Sequence, residues 1–576
     1  MTTNANFPTW DSDHYGGGTS SAITFTFGSC RVNTSSASGY PLIASNIAFP
    51  ITGKWYIELC NIVSNGYHCF GIINEKQFRY GNKLLDGTGA YQYQAWNGQV
   101  RGNGGSSTAY GATWQAVGDV IGLAFDTDTG KIYWSKNGTF QNSGDPANGT
   151  NPAFTVPTDT QYYFGWSDYY TGAEGTVHIN CGQDSSFGAQ KTSGSANATD
   201  GNGIGNFYYT PPTGFLCLGS ASLPLAAAID PAETDSDYVG EKQFNTIQYT
   251  GNGSTQSITG LGFKPDLILM KDTTGAGATM WADSTRGTTK ILQSNANAAD
   301  YSAGTNYVTS FDTDGFSLGG STDVNENAQT FTAMAWKANG GTTSSNSNGG
   351  ITSTVQANQD IGFSIISYTA SGSNSSIGHG LSQKPDFHII KKLNGSGNWT
   401  VYHKDLGATK YLRFNALDGA STFQYNYNNT EPDATKIYLG DNGNTNHPNG
   451  DTYICYAWHQ VEGFSKFGMY AGSGSTTGSY IHCGFRPAMV WIKKSSESST
   501  TYGWPAFVDI IQGNVNTDYF KNFWIDQSVA ASNSYPLDFL AKGFRHRNNN
   551  TNLDAVNQEY VYFAFADQPG KYSNAF

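Results

Sequence analysis

Three sequence blocks recur in the same order three times after residue 240. The first is a strand that ends in Tyr and a Gly/Ser-rich turn: Ile247-Gln-Tyr-Thr-Gly, Ile366-Ser-Tyr-Thr-Ala and Gly468-Met-Tyr-Ala-Gly. The second is a basic residue and Pro followed by an apolar strand: Lys264-Pro-Asp-Leu-Ile-Leu-Met-Lys, Lys384-Pro-Asp-Phe-His-Ile-Ile-Lys and Arg486-Pro-Ala-Met-Val-Trp-Ile-Lys. The third is a closing strand: Phe331-Thr-Ala-Met-Ala-Trp, Tyr453-Ile-Cys-Tyr-Ala-Trp and Tyr560-Val-Tyr-Phe-Ala-Phe. Tyr249 to Pro265, Tyr368 to Pro385 and Tyr470 to Pro487 span 16, 17 and 17 positions. Pro265 to Trp336, Pro385 to Trp458 and Pro487 to Phe565 span 71, 73 and 78. Order and spacing kept three times mean three copies of one structural unit. Pro fixes the turn before a core strand, and the basic residue beside it sits outside the ladder.

Composition makes that unit a β-domain. Gly accounts for 70 of 576 residues, aromatics for 14 % and charged residues for only 13 %. Aromatic and β-branched residues between Gly, Asn, Ser and Thr suit short strands and tight turns. A net charge of −13 without a Lys/Arg-rich run argues against nucleic-acid binding. No apolar stretch is long enough to span a bilayer as a helix, and the N-terminus reads as having no secretory signal. Seven scattered cysteines without a C-x-x-C pair fit buried thiols better than disulfides or zinc.

Ahead of the repeats, residues 22–187 alternate strand and turn. Asp119-Val-Ile-Gly-Leu-Ala-Phe-Asp runs through Thr127-Asp-Thr-Gly into Lys131-Ile-Tyr-Trp-Ser-Lys-Asn-Gly, a hairpin signal. With Gly53-Lys-Trp-Tyr-Ile-Glu, Ile132-Tyr-Trp-Ser-Lys-Asn-Gly-Thr-Phe and Ile179-Asn-Cys-Gly-Gln, this order of strands resembles a SPRY domain. The resemblance implies a bent antiparallel β-sandwich that binds rather than catalyses. The expected fold is therefore all-β: a SPRY-like sandwich followed by three β-sandwich-like repeats in tandem. The expected boundaries are an arm over 1–20, the sandwich with its C-terminal extension over 21–225, a linker over 226–240, and repeats over 241–345, 346–462 and 463–576.

A SPRY-like unit before a threefold repeat is similar to modular tail or fibre proteins of marine bacteriophages. That resemblance implies a virion protein, assembled in the host cytoplasm and released by lysis, that contributes to host-surface attachment. A head fibre or capsid decoration, a surface-polysaccharide depolymerase and an unconventionally exported adhesin are the alternatives. The partners expected are other virion proteins, a host surface glycan or protein, and a second and third copy in a homotrimer; no nucleic acid and no membrane insertion are expected.

The search for chemistry finds little. Glu58, Asp283 and Asp405 are carboxylates that glycoside cleavage could use, but none has a recognisable catalytic context. Asp126-Thr-Asp-Thr-Gly and Asp312-Thr-Asp-Gly invite a calcium reading, yet positions five and twelve counted from Asp126 are Gly130 and Asn137, so both read as hairpin turns. His388 and His459 fall in core strands rather than in ligand spacing. No catalytic residue, metal site or cofactor is expected. The candidate binding residues are Tyr93, Trp96 and Arg101, in Tyr91-Gln-Tyr-Gln-Ala-Trp-Asn-Gly-Gln-Val-Arg, and Tyr427 in a polar loop. Alternation would instead put Tyr91 and Tyr93 in the sandwich core and leave Trp96 and Arg101 exposed. Segments 294–307, 423–429 and 514–534 vary between repeats and are expected to face solvent as binding surface. Phe7, Pro8 and Trp10 are the expected apolar anchors by which the arm docks on another virion protein.

Overall fold

The computed structural model describes residues 7–16, 23–34, 41–74, 87–169, 174–192, 198–219, 222, 243–302, 304–474, 478–496, 503–511, 521–540, 542–547 and 549–566. The chain divides into two units, Met1–Leu225 and Ala226–Phe576. The expected linker at 226–240 lies outside the described residues.

The first unit is a β-sandwich. One sheet has seven strands in the order Trp10–Gly16, Leu42–Ser45, Tyr162–Asp168, His68–Asn74, Ala90–Gln94, Gln99–Gly102, Thr108–Ala109. The other is built around Lys54–Val63, paired with Val120–Asp126 on one side and Gly175–Asn180 on the other. The expected hairpin is present, with Asp126 opposite Lys131. Side chains that alternate inward from both sheets fill one core, among them Trp10, Trp55, Trp134 and Trp166.

Of the expected arm over 1–20, residues 7–16 are described, and they are not a free arm. Trp10–Gly16 is an edge strand on Leu42–Ser45. Trp10 is 1 % exposed and meets Phe164 edge-on at 5.4 Å. Pro8 is buried, and Phe7 packs on the core from its margin. Burying the indole between two sheets removes a large apolar surface from water and makes it part of the sandwich core. Phe7, Pro8 and Trp10 are thus internal to the sandwich rather than anchors for another protein.

In the second unit the main sheets of the repeats have six, eight and five strands, and each contains the run first strand, closing strand, block-two strand, followed by at least two more. These runs are Phe244–Thr250, Thr330–Trp336, Leu267–Asp272; Phe363–Thr369, Thr452–Trp458, Phe387–Lys392, preceded in its sheet by Ser344–Asn346 and Ser353–Asn358; and Ser465–Ala471, Glu559–Ala566, Pro487–Lys494. A small second sheet covers one face of each. Along Leu267–Asp272, Ile268 and Met270 point into the repeat's own core, with Ala333 and Ala335. Leu267 and Leu269 point the other way, with Met334 and Trp336, into a core shared by all three repeats. The same alternation sends Phe387, Ile389, Tyr456 and Trp458, and Met489, Trp491, Phe563 and Phe565, into that shared core. The closing aromatics meet there: Trp336 lies 6.1 Å from Trp458 and 5.6 Å from Phe565.

The repeats close into a ring through equivalent seams. Asp300 N–H donates to Leu393 O, Ala420 N–H to Ser495 O, and Ala531 N–H to Thr273 O, each at 3.0 Å. Each donor lies eight positions beyond the matching core residue Leu292, Leu412 or Phe523. The first donor joins repeat 1 to repeat 2, the second 2 to 3, the third 3 back to 1. The variable segments are therefore not wholly solvent-facing: the first crosses at Asp300 and the third at Ala531, and Ser294, fully buried, donates its hydroxyl to Ile525 O at 2.6 Å, whereas the crossing residue Ala420 precedes the second segment, where Phe423 and Tyr425 are exposed. Residues 514–520 of the third segment lie outside the described residues.

A buried lysine marks each seam. Lys391 donates to Gly397 O of its own loop and to Asn297 O of repeat 1. Lys271 donates to Gly277 O and to Gln527 O of repeat 3. Lys493 donates to Ala416 O of repeat 2. The period of two that places Leu267 and Leu269 in the shared core puts Lys271 on the same face. There its ammonium satisfies carbonyls at the end of an apolar core. All seven cysteines are unbridged and buried, as expected of small apolar side chains.

Candidate functional site

At one end of the seven-stranded sheet, three neighbouring strands finish in step. Asp168 is paired with His68, and Ala95 N–H donates to His68 O at 2.8 Å. The next residue on each strand is aromatic: Tyr169, Tyr67 and Trp96. Tyr169 N–H donates to Tyr67 O at 2.7 Å. The Trp96 ring lies 5.9 Å from Tyr67 and 5.2 Å from Tyr169, tilted 34° and 35° to them. Tyr67 is 39 % and Tyr169 41 % exposed, and Trp96 is half-buried against the sheet.

Local chemistry holds this row in place. Asn65 accepts the N–H of Tyr67 at 3.0 Å, an Asx turn that starts the strand. Its amide donates to both carboxylate oxygens of Asp168, at 2.8 and 2.9 Å, and Thr34 adds a third donor at 2.7 Å. Below the row His68 is buried between Trp114 and Trp166, and burial alone pushes its ring down to about 3, so it stays neutral. On the far side the chain turns at Gly98, with φ +66. A Cβ there would meet Gly111 O at 2.1 Å, so only glycine fits. That turn carries an amide cluster in which Asn97 donates to Gln94 and Gln99, both at 3.0 Å.

The sequence-derived candidates separate. Trp96 is in the row. Arg101, half-buried one strand on, has its Nε bonded to Gly105 O at 2.7 Å. Tyr93 is a correction: it is fully buried, its hydroxyl donates to Ala112 O, and it packs on Tyr110. The alternation along Ala90–Gln94 that turns Gln92 and Gln94 to the other face sends Tyr91 and Tyr93 inward. Tyr427 is a second correction. It is 1 % exposed and packs edge-on against His388 at 5.2 Å and Tyr402 at 5.7 Å, filling the core of repeat 2. Tyr67, Tyr169, Asn65 and Asp168 were missed, because positions 67, 96 and 169 become neighbours only through the strand order.

Glu58 and Asp283 serve the fold. Glu58 is buried and accepts the backbone N–H groups of Tyr208 and Tyr209 at 2.8 and 2.7 Å and the Asn180 amide at 3.2 Å. Burial pushes it up to about 7 despite those bonds. Asp283 is bonded to Arg286 at 2.5 Å and to the Tyr456 hydroxyl at 2.7 Å, a buried link between repeats 1 and 2. Asp405 is half-buried in the turn that follows His403. Asp126 accepts Thr129 N–H, and Asp314 accepts Gly260 and Gly262 N–H, as turn carboxylates do. Among the described residues no group of three His, Cys, Asp or Glu could hold a metal ion.

Comparison with solved structures returns SPRY domains. The human HERC1 SPRY domain matches at 16 % identity over 30 % of this chain and 96 % of its own, with TM-score 0.24. A second human SPRY domain matches at 12 % over 27 % and 94 %, TM-score 0.20. The TRIM65 PSpry domain matches at 11 % over 30 % and 89 %, TM-score 0.23. A search of curated proteins returned no match. The three-repeat unit is covered by one family model over residues 239–569, and the chain belongs to that family, the domain of unknown function DUF7483.

Proposed function

We propose that this chain is a non-enzymatic structural protein of a bacteriophage particle, a tail-fibre or related appendage subunit that contributes to host-surface attachment. The observation that supports this reading best is the exposed row Tyr67–Trp96–Tyr169 on a rigid all-β scaffold. Exposed aromatics grouped at one place on a monomer usually mark a contact surface. The ring of fused repeats fits a load-bearing part: each repeat is held on two sides by backbone hydrogen bonds and by a common core. Two of the carboxylates considered for polysaccharide cleavage, Asp283 and Glu58, are committed to Arg286, Tyr456 and backbone donors, which favours attachment over a depolymerase. Other virion proteins, a host surface component and a homotrimer belong to the same reading. A trimer would not use the repeat seams, since all three are closed within one chain.

Gold labelling of purified particles with an antibody to this chain tests the proposal. Label at the tail supports it, label on the head favours a decoration protein, and particles without the chain overturn it.

A further inference from the structure

The row at the end of the seven-stranded sheet has a chemistry that selects among ligands. Its three strands are third, fourth and fifth in the sheet order, so each is paired on both sides. An extended peptide has no free backbone edge to join there. The carboxylate nearest the rings, Asp168, is 1 % exposed and already accepts from Asn65 and Thr34. The basic residue on the adjoining strand, Arg101, has its Nε bonded to Gly105 O. Exposed apolar rings therefore stand beside an enclosed carboxylate and a guanidinium whose Nε is engaged by the backbone.

The remaining polar groups are amides. Asn97 is exposed, and its nitrogen bridges the carbonyl oxygens of Gln94 and Gln99. With its oxygen used as acceptor, half-buried Gln99 has two amide N–H groups that find no acceptor among the described residues. Asn65 and Gln115 flank the opposite side, Gln115 donating to Gly66 O at 3.0 Å. Aromatic surface bordered by neutral donors and acceptors matches a ligand with an apolar C–H face rimmed by hydroxyls.

We propose that Tyr67, Trp96 and Tyr169 form a binding site for a neutral pyranose glycan, the rings against the sugar's C–H face and the Asn97–Gln99 amides on its hydroxyls. This deepens the host-attachment reading and rests on it, while its test is separate: glycan binding by the purified chain is measured without particles.

The full chain is passed over immobilised dextran, mannan, laminarin and galactan, with alginate and an acidic peptide as charged controls. Retention by at least one neutral polysaccharide, competed by its free oligosaccharide, is expected. Tyr169→Ala and Tyr67→Ala remove exposed rings, so each should weaken that affinity by about tenfold or more with an unchanged melting temperature. Trp96→Ala should weaken it further, and Trp96→Phe should restore part of the loss. No retention on any neutral polysaccharide, retention on the charged controls alone, or binding indifferent to both tyrosine variants overturns the proposal. Particle labelling can fail while the glycan result stands, and the reverse, so the two readings fall separately.

Discussion

Lys391 of the second repeat lies 3.3 Å from the backbone carbonyl of Asn297 in the first, joining two repeats through a buried ammonium. Lys271 and Lys493 do the same at the other seams. Burial pushes all three down to about 8, with Asp300, Lys392 and Arg286 the charged groups that act on Lys391. A folded-state value below the ordinary 10.5 means that the fold favours the neutral amine. Stability is therefore lower when the ammonium is charged, and it rises as pH climbs from about 8 toward 10.5. Lys391→Met removes one titrating group, so its thermal stability should climb less between these values than the parent chain's. Hydrogen exchange should quicken at Asp300 N–H and stay unchanged at Ala531 N–H. An unchanged pH slope would show that the ammonium is not what titrates.

His388 makes a prediction of the same sign at low pH. It is fully enclosed, stacks on Tyr402 at 4.8 Å, and has no hydrogen-bond partner on either ring nitrogen. Burial pushes it down to about 3, and His546 likewise to about 3 and His403 to about 4. Their folded values lie below 6.5, so the stability these neutral rings contribute is present above 6.5 and is lost as pH falls from there toward 3 to 4. The other repeats carry Ile268 and Val490 at this position. His388→Val should flatten part of the acid limb in urea titrations at pH 7, 6 and 5, with little change at pH 7.

Much of this fold was visible in the residues, and what stayed hidden follows from geometry. The blocks located the strands because Pro265 and Pro385 stand two residues ahead of a paired strand and Trp336 and Trp458 end one. The unbroken apolar run Leu267-Ile-Leu-Met is what a strand covered on both faces requires. The expectation of separate sandwich-like repeats in tandem accounts for one covered face only, so the shared core went unread. The lysine that ends each block-two strand recurs three times, yet its role depends on a carbonyl from another repeat, which no spacing within one block encodes. Trp96 was found because it sits in a turn mixed with amides. Tyr427 has equally polar neighbours but turns inward, and local composition does not distinguish the two.

That difference gives a stability test at Tyr427. Its ring is buried and its hydroxyl has no partner. Tyr427→Phe should be close to neutral, since it removes an unsatisfied polar atom without leaving a void. Tyr427→Ala should cost about 3–5 kcal/mol, as large aromatic deletions in cores do. Equal effects in chemical denaturation would mean that the ring is not packed as described.

Glu58 holds the segment 206–209 to the sandwich through two backbone N–H groups and the Asn180 amide. Glu58→Gln keeps one carbonyl oxygen for two donors and places an amide against the other, whereas Glu58→Ala removes every acceptor. Limited proteolysis should cut near Tyr208 and Tyr209 faster in both variants, and fastest in Glu58→Ala, while the C-terminal unit resists equally in all three proteins. Because its folded value of about 7 lies above that of an ordinary carboxylate, this group's stabilisation is greatest at acid pH and is lost as pH rises through 7. Faster cutting at pH 8 than at pH 6 in the parent chain, with that difference absent from Glu58→Gln, is the expected signature.

The shared core makes the three repeats one cooperative body, and Trp336 is the residue to test it with. Its ring touches Trp458, Trp491, Phe563 and Phe565, so it packs against both other repeats as well as Phe244 of its own. Trp336→Ala should cost about 3–5 kcal/mol. If the repeats were independent, that loss would appear as early unfolding of residues 241–345 while the rest kept its midpoint. Because the cavity opens at the junction of all three, the whole C-terminal unit should instead unfold in one transition at lower denaturant. Tryptophan fluorescence and far-ultraviolet circular dichroism should coincide through that step. Trp458→Ala and Phe565→Ala, which line the same junction, should shift the same transition. The double variant Trp336→Ala/Phe565→Ala should cost less than the two singles combined, since residues in contact share one cavity. Two separated transitions, or strictly additive losses, would show that the ring is held by its seams alone and that the aromatic junction is not what couples the repeats.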